Sequence, residues 1–207
     1  MCVTRVKLIL LLMDHTHMKT KRDRKTLLIV AGILLVLTTV VLLRAEGRRF
    51  LCSCGYFAVW VSDWCGSNTS QQLFDPYSFT HILHGFLFFW LIALLFRRMP
   101  RASQVWLALL FECTWELIEN TPWVIEKYRT ETAALGYTGD TIVNSIGDLT
   151  CAVIGFLIAR RLGVRRAVIV FLLIELALTL WIRDSLLLQI LMLIHPIEAI
   201  KVWQTCH

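Results

Sequence analysis

The sequence predicts an all-α polytopic membrane protein: a transmembrane helical bundle of about five spans, followed by a C-terminal interfacial or re-entrant helix. Three observations predict it. The 207 residues are 57% hydrophobic, with a mean hydropathy of +0.65, more apolar than a soluble core of this size requires. The apolar residues gather into runs close to the length of a bilayer crossing. The basic residues gather at the ends of those runs.

The first run, Leu27 to Leu43, has no charged residue and is long enough for a tight crossing at ~1.5 Å per residue. Residues 1–25 before it read as a disordered cytoplasmic extension, or as sequence upstream of a start at Met13 or Met18. Residues 26–207 form a single transmembrane helical domain, since no internal repeat or flexible linker divides them. A second span covers Phe79 to Phe96 and stops at Arg97, Arg98, Pro100 and Arg101. A third covers Gln104 to Pro122 despite three glutamates, which must then face protein or water.

The fourth span runs from Asp140 to Ala159 and stops at Arg160, Arg161, Arg165 and Arg166. The fifth is Ala167 to Ile182, closed by Arg183 and Asp184. Leu186 to Ile194 is too short to cross and is broken at Pro196, which makes it the interfacial or re-entrant helix.

Lysine and arginine set the direction. Twelve lie on the side of the N terminus: Lys19, Lys21, Arg22, Arg24 and Lys25 before the first span, with the arginines after the second and fourth. Six lie on the other side: Arg44, Arg48, Arg49, Lys127, Arg129 and Arg183. The N terminus is therefore expected in the cytoplasm of a cell with an inner membrane, with Arg44 to Arg49 as the feature arguing against it. The net charge of +6 falls in short clusters between apolar runs, which fits an anionic leaflet and excludes nucleic acid as a partner.

Seven cysteines make an odd count with no zinc spacing. Cys52, Cys54 and Cys65 share an outer loop, where they form a disulfide, a metal clip or, on the plainer reading, ordinary thiols.

With this topology, four helices bring ionisable groups toward one leaflet. His81 and His84 share a face of the second span. Glu112, Glu116 and Glu119 form a stripe on the third, and Asp140, Asn144 and Asp148 a stripe on the fourth. The result is a polar column descending from the outer side, joined at its foot by Glu175. Burying one such charge in the bilayer costs on the order of 3 kcal/mol or more, so the groups line a cavity or pair with one another. Carboxylates and imidazoles together support binding of a divalent metal, or general acid and base work.

His81, His84, Glu116, Glu119, Asp140 and Asn144 are the candidate metal ligands, and Glu112 and Asp148 the candidate catalytic relay groups. The same residues also have a structural reading, with Asp140, Ser78 or Thr80 as helix caps and Glu119 facing water. Glu112, Glu116 and Asp148 lie too deep for that. Trp106, Trp115, Trp123, Trp181 and Trp203 read as belt or packing aromatics. Gly147, Cys151, Gly155 and Ala159 recur every four residues, as on a close helix-packing face.

The segments CSCGYFAVW, SFTHILHGFLFFW, ECTWELIENTPWVIEKYR, GYTGDTIVNSIGD and IRDSLLLQILMLIHPIEAIKVWQ resemble a family of short polytopic inner-membrane proteins from alphaproteobacteria. The likeness covers nearly everything after Leu27 and implies a location without an activity. More distantly, the order of histidine pair, acid-bearing helix and a helix opening with Asp140, Asn144 and Asp148 before Gly155 is similar to VanZ-like membrane proteins. That second resemblance implies a role in the cell envelope connected with glycopeptide resistance.

These readings converge on an envelope enzyme whose site, open to the periplasmic leaflet, acts on a lipid or lipid-linked substrate. The alternatives are a non-enzymatic binding or transport protein, or an assembly protein whose polar residues only tie helices together. Transport is disfavoured because the cytoplasmic halves of spans two to four carry few charges. Serine-hydrolase, NTPase and dinucleotide chemistry are disfavoured by the absence of GxSxG, P-loop and GxGxxG motifs.

Overall fold

The computed structural model describes residues 21–132 and 136–205. These contain seven helices and no strand, apart from an isolated parallel bridge between Trp60 and Phe74. The helices are α1 (Lys21–Ala45), α2 (Ser78–Leu95), α3 (Arg101–Glu119), α4 (Pro122–Glu131), α5 (Ile142–Ile182), α6 (Leu186–Ile194) and α7 (Glu198–Gln204). Of the extension expected over residues 1–25, positions 1–20 lie outside the described residues, whereas 21–25 already belong to α1.

Three helices are long and apolar enough to cross a membrane: Asp23–Ala45, Ser78–Leu95 and Ile142–Ile182. The run expected as the third span is the helix α3, which Arg101 and three glutamates make too polar to count among these three. It ends at Glu119 rather than Pro122, because Thr121 caps the next helix by accepting from the Val124 amide and Pro122 opens it. Proline suits that first position, where no amide hydrogen is needed.

The expected fourth and fifth spans fall together in α5, whose only departure from helical geometry is Gly163, at φ 75° and ψ 167°. That φ favours glycine. A straight helix of 41 residues would be ~60 Å long, yet Asn144 near its start and Ile182 at its end line one cavity. The chain therefore doubles back at Gly163 into a first arm, 142–162, and a second arm, 164–182. The fourth span also starts later than expected: Thr141, not Asp140, is the cap, its side chain accepting from the Asn144 amide.

Helix α2 lies at the centre. A Cβ at Gly85 would sit 2.2 Å from the Ala152 carbonyl oxygen, and one at Gly155 2.0 Å from that of Ile82, so the backbones of α2 and the first arm touch. Gly147 likewise abuts the Leu73 carbonyl. The second arm closes over α2 through Phe171, Leu178 and Ile182, packed with Leu83 and Phe86. Below, Ile92, Leu107, Ala108 and Phe156 join α2, α3 and the first arm in an apolar plug. Helix α1 packs on α3, with Gly32 against Trp106 and Leu109. Its remaining face, including Leu34, Leu37 and Val41, is exposed, as are Ile169, Leu172, Leu173 and Leu176 on the second arm. Exposed apolar faces on helices of this length are consistent with a membrane protein.

The long loop between α1 and α2 covers the start of α5. The amides of Thr141, Ile142 and Val143 donate to the carbonyls of Ser70, Arg49 and Phe50, pairing donors that the helix itself leaves open. Arg48 donates to the Thr138 carbonyl. Within this loop Cys52 and Cys54 are joined by a disulfide, and Cys65 is disulfide-bonded as well, so the plainer reading as ordinary thiols gives way. Glu175 does not join the polar column: its carboxylate accepts from the Leu187 amide and fixes the first turn of α6.

Candidate functional site: a histidine and carboxylate cluster beneath a cavity

His81 and His84 lie one turn apart on α2 and both reach across to Glu112 on α3. His81 Nδ1 is 2.6 Å from Glu112 Oε1, and His84 Nδ1 is 3.2 Å from each of its oxygens. An ionised carboxylate only accepts, so both Nδ1 atoms carry hydrogens and both Nε2 atoms are left for other partners. His81 Nε2 faces Asp148 of the first arm, with Oδ2 at 3.8 Å. Asp148 Oδ1 accepts from the Ser78 hydroxyl at 3.2 Å.

Glu116 sits one turn along α3 from Glu112, 0% exposed. Its Oε1 is 3.6 Å from His81 Nδ1, too far for a hydrogen bond. Both of its oxygens are buried without a hydrogen-bond partner. A carboxylate so placed is costly unless something else satisfies it.

Two groups of three have ligand atoms close enough to share one ion: His81, His84 and Glu112, and His81, Glu116 and Asp148. In the first, the Glu112 oxygens already hold two imidazole hydrogens. The second contains the unsatisfied Glu116 and the outward Nε2, and it fits a hard or borderline cation better. For such a group Glu112 stands where the carboxylate that orients a ligating histidine would be.

The other expected ligands are placed elsewhere. Asp140 lies just before α5, its Oδ2 accepting from Asn120 Nδ2 at 2.9 Å and its Oδ1 from the Tyr137 hydroxyl at 3.0 Å. The Asp140 amide donates back to Asn120 Oδ1 at 2.8 Å. Asn144 donates to the Gln72 carbonyl at 2.9 Å. Glu119 stands beside Tyr128, with its Oε2 buried and unpartnered. Glu112 and Asp148, expected as relay groups, thus stand among the possible ligands, while Glu119, Asp140 and Asn144 line a chamber above them.

That chamber is a cavity of about 420 Å³. His81 and Asp148 lie deepest along their helices, and α4, α6 and α7 contribute Tyr128, Met192 and Gln204. Tyr77 and Asp184 also line it, and Asp184 accepts from the Gln189 and Gln204 amides. Sequence reasoning missed Asn120, Tyr77, Tyr128, Tyr137 and Gln204. The tyrosines resemble interfacial belt residues, and only their carboxylate partners mark them as something more. Burial pushes Asp184 up to about 7, and it also raises Asp140 and Asp75 above the usual carboxylate range. Burial and the neighbouring carboxylates raise the phenols of Tyr77, Tyr128 and Tyr137, so these remain donors.

Residues 43–206 match the family model described as Protein of unknown function (DUF2585). The chain belongs to that family. The DUF2585 match takes in every residue of the cluster and of the chamber. The UPF0314 protein of Agrobacterium fabrum is 43% identical over 176 residues, covering 85% of this chain and 88% of that protein. The UPF0314 protein of Rhizobium meliloti is 41% identical over 186 residues, covering 90% and 93%. That of Novosphingobium aromaticivorans is 42% identical, covering 81% and 87%. The resemblance to an alphaproteobacterial family is thereby borne out. No solved structure matches the chain.

Proposed function

We propose that this DUF2585 protein is a multi-pass inner-membrane enzyme whose His81, Glu116 and Asp148 hold a divalent metal, in a site reached from the periplasmic leaflet. The observation that carries it is Glu116, a fully buried carboxylate with both oxygens unpartnered, beside a histidine whose other nitrogen is already fixed by Glu112. The five crossings are α1, α2, α3 and the two arms of α5, and the basic residues favour a cytoplasmic N terminus. The cavity then opens toward the periplasmic side, where lipid or lipid-linked substrates are within reach. The VanZ-like order of histidine pair, acid helix and D/N/D helix fits the same envelope setting.

A bound divalent ion supplies Lewis-acid polarisation of a substrate oxygen and a more acidic water. The chain's own residues do the rest. Glu112 holds the His81 ring through Nδ1, Ser78 steadies Asp148, and Tyr128, Tyr137 and Asn144 present polar atoms to whatever enters. Transport across the membrane is disfavoured by the plug of Ile92, Leu107, Ala108 and Phe156 beneath the cluster.

Metal analysis of detergent-purified protein tests the proposal. About one equivalent of a divalent metal is expected in the wild type and a severe loss in His81→Ala and Glu116→Gln. Equal metal content in all three would refute it.

A further inference from the structure

Five carboxylates line the cavity: Asp75, Glu119, Asp140, Asp148 and Asp184. No lysine or arginine lines it among the described residues. Four of the basic residues around its outer side are turned to backbone carbonyls. Arg48 donates to Thr138, Lys127 to Leu193, Arg129 to Tyr137 and Arg183 to Trp203. Among the described residues none of them pairs with a lining carboxylate, although Lys127 and Arg129 also meet Glu131 and Glu126.

One of the carboxylates, Asp140, accepts from the phenol of Tyr137, while Tyr128 and Tyr77 stand beside Glu119 and Asp184. Acceptors and aromatic rings thus stand together in the lining, and Glu119 Oε2 is buried without a partner. Tyr128 and Tyr137 meet edge to face at 5.2 Å. A second, independent sign of a missing partner is Gln204. It is 4% exposed and lines the cavity, and its Nε2 donates to Asp184 Oδ1 at 3.0 Å. That bond to an acceptor fixes the orientation of the amide, so Oε1 is the atom left buried without a partner.

From this we infer that the upper chamber, between Tyr77, Tyr128, Tyr137 and the carboxylates of Glu119, Asp140 and Asp184, binds an organic ammonium group. The inference rests on the proposed outer-leaflet site and names the chemistry of its substrate. An ammonium brings only donors and a positive charge, which is what a cavity of acceptors without a lysine or arginine lacks. Aromatic faces beside acids are the setting in which such cations are held. Near the outer leaflet the same group is carried by an amine-bearing lipid headgroup or by a free amine. An anionic headgroup without an amine would meet only like charge and acceptors. The upward displacement of Asp184 and Asp140 by burial accords with this, since a bound cation reverses it.

The test is calorimetric titration of the purified full-length protein in detergent and EDTA. The ligands are dihexanoylphosphatidylethanolamine, dihexanoylphosphatidylglycerol and free ethanolamine. The ethanolamine lipid should bind at least about tenfold more tightly than the glycerol lipid, and Asp184→Asn and Asp140→Asn should each weaken it about tenfold. Where an aspartate variant does not fold, by circular dichroism, Gln204→Leu replaces it with the same expectation. Free ethanolamine binding as tightly as the lipid makes the natural ligand a soluble amine, and weaker binding assigns it to a headgroup. Either result keeps the ammonium site. Equal binding of the two lipids, or folded variants that bind like wild type, overturns it. Because EDTA removes any metal, a failed metal site and a failed ammonium site are read separately. Equal binding of the two lipids that appears only without EDTA would mean that the phosphate they share was recognised through a metal, and would also overturn the inference.

Discussion

His81 and Glu112 are locked together: Nδ1 lies 2.6 Å from Oε1, between two helices, with the carboxylate fully buried. The bond settles which imidazole nitrogen faces Asp148 and the cavity. Glu112→Gln keeps the shape but offers a neutral amide in place of the charged acceptor. It should weaken divalent-metal affinity about 10- to 100-fold, as loss of a carboxylate behind a ligating histidine does. Titration of zinc into metal-stripped variant and wild type measures it, and equal affinities would remove Glu112 from the site.

The backbone contact between α2 and the first arm of α5 leaves no room for a side chain at Gly155. Gly155→Leu should therefore force the helices apart and lower stability by about 1–3 kcal/mol, the usual cost of overpacking. Gly163→Ala places a side chain in open space but at φ 75° and ψ 167°, a conformation essentially reserved for glycine, and should cost about 1–3 kcal/mol through the backbone alone. Melting of both variants in one detergent checks this, and a Gly155→Leu protein more stable than wild type would contradict the packing.

Asp184 gives the pH dependence a sign. The folded protein holds its proton up to about pH 7, whereas the unfolded chain releases it near the ordinary value of ~4. Between those values the folded state binds more protons, so this group's contribution to stability falls as pH rises through the window and levels off above it. Asp184→Asn cannot titrate. The stability of wild type relative to this variant should decline from pH ~4 to ~7 and then stay flat, as followed by thermal melting in detergent. A difference that grows with pH would show that Asp184 is held ionised instead.

Much of this architecture was legible in the chain. The apolar runs with basic stops marked α1, α2 and both arms of α5, and Pro196 marked the end of α6, because bilayer length and charge act locally along a sequence. The column was legible as two stripes and a histidine pair, and the structure brings His81, His84, Glu112, Glu116 and Asp148 within reach of one another. Their division of labour was not, because it depends on which oxygen meets which nitrogen across two helices. Asp140 and Thr141 are both good caps, and only the overlying loop decides between them. Glu175 is flanked by apolar residues on every side, so helical periodicity could not show that it turns toward α6. The tyrosines of the chamber come from α4 and two loops, and nothing along the chain announces that each stands beside a carboxylate.

Orientation is tested by reporter fusions. Alkaline phosphatase joined in the loop 66–77 should be active and that joined at Arg101 inactive, because twelve lysines and arginines lie on the N-terminal side against six on the other. The reverse pattern would move the cavity to the cytoplasmic leaflet.

The most direct measurement is the melting temperature of purified wild type and Glu116→Gln, each with and without zinc or manganese. In metal-free buffer Glu116→Gln should melt higher than wild type, by about 1–3 kcal/mol of stability, because an unpartnered buried carboxylate is replaced by a neutral amide. At roughly a hundredfold excess over Kd, metal should stabilise the wild type by about 3 kcal/mol and leave the variant nearly unmoved. A wild type that gains nothing from any divalent metal, beside a Glu116→Gln protein that melts lower, would contradict the metal site and leave Glu116 as a structural tie between helices.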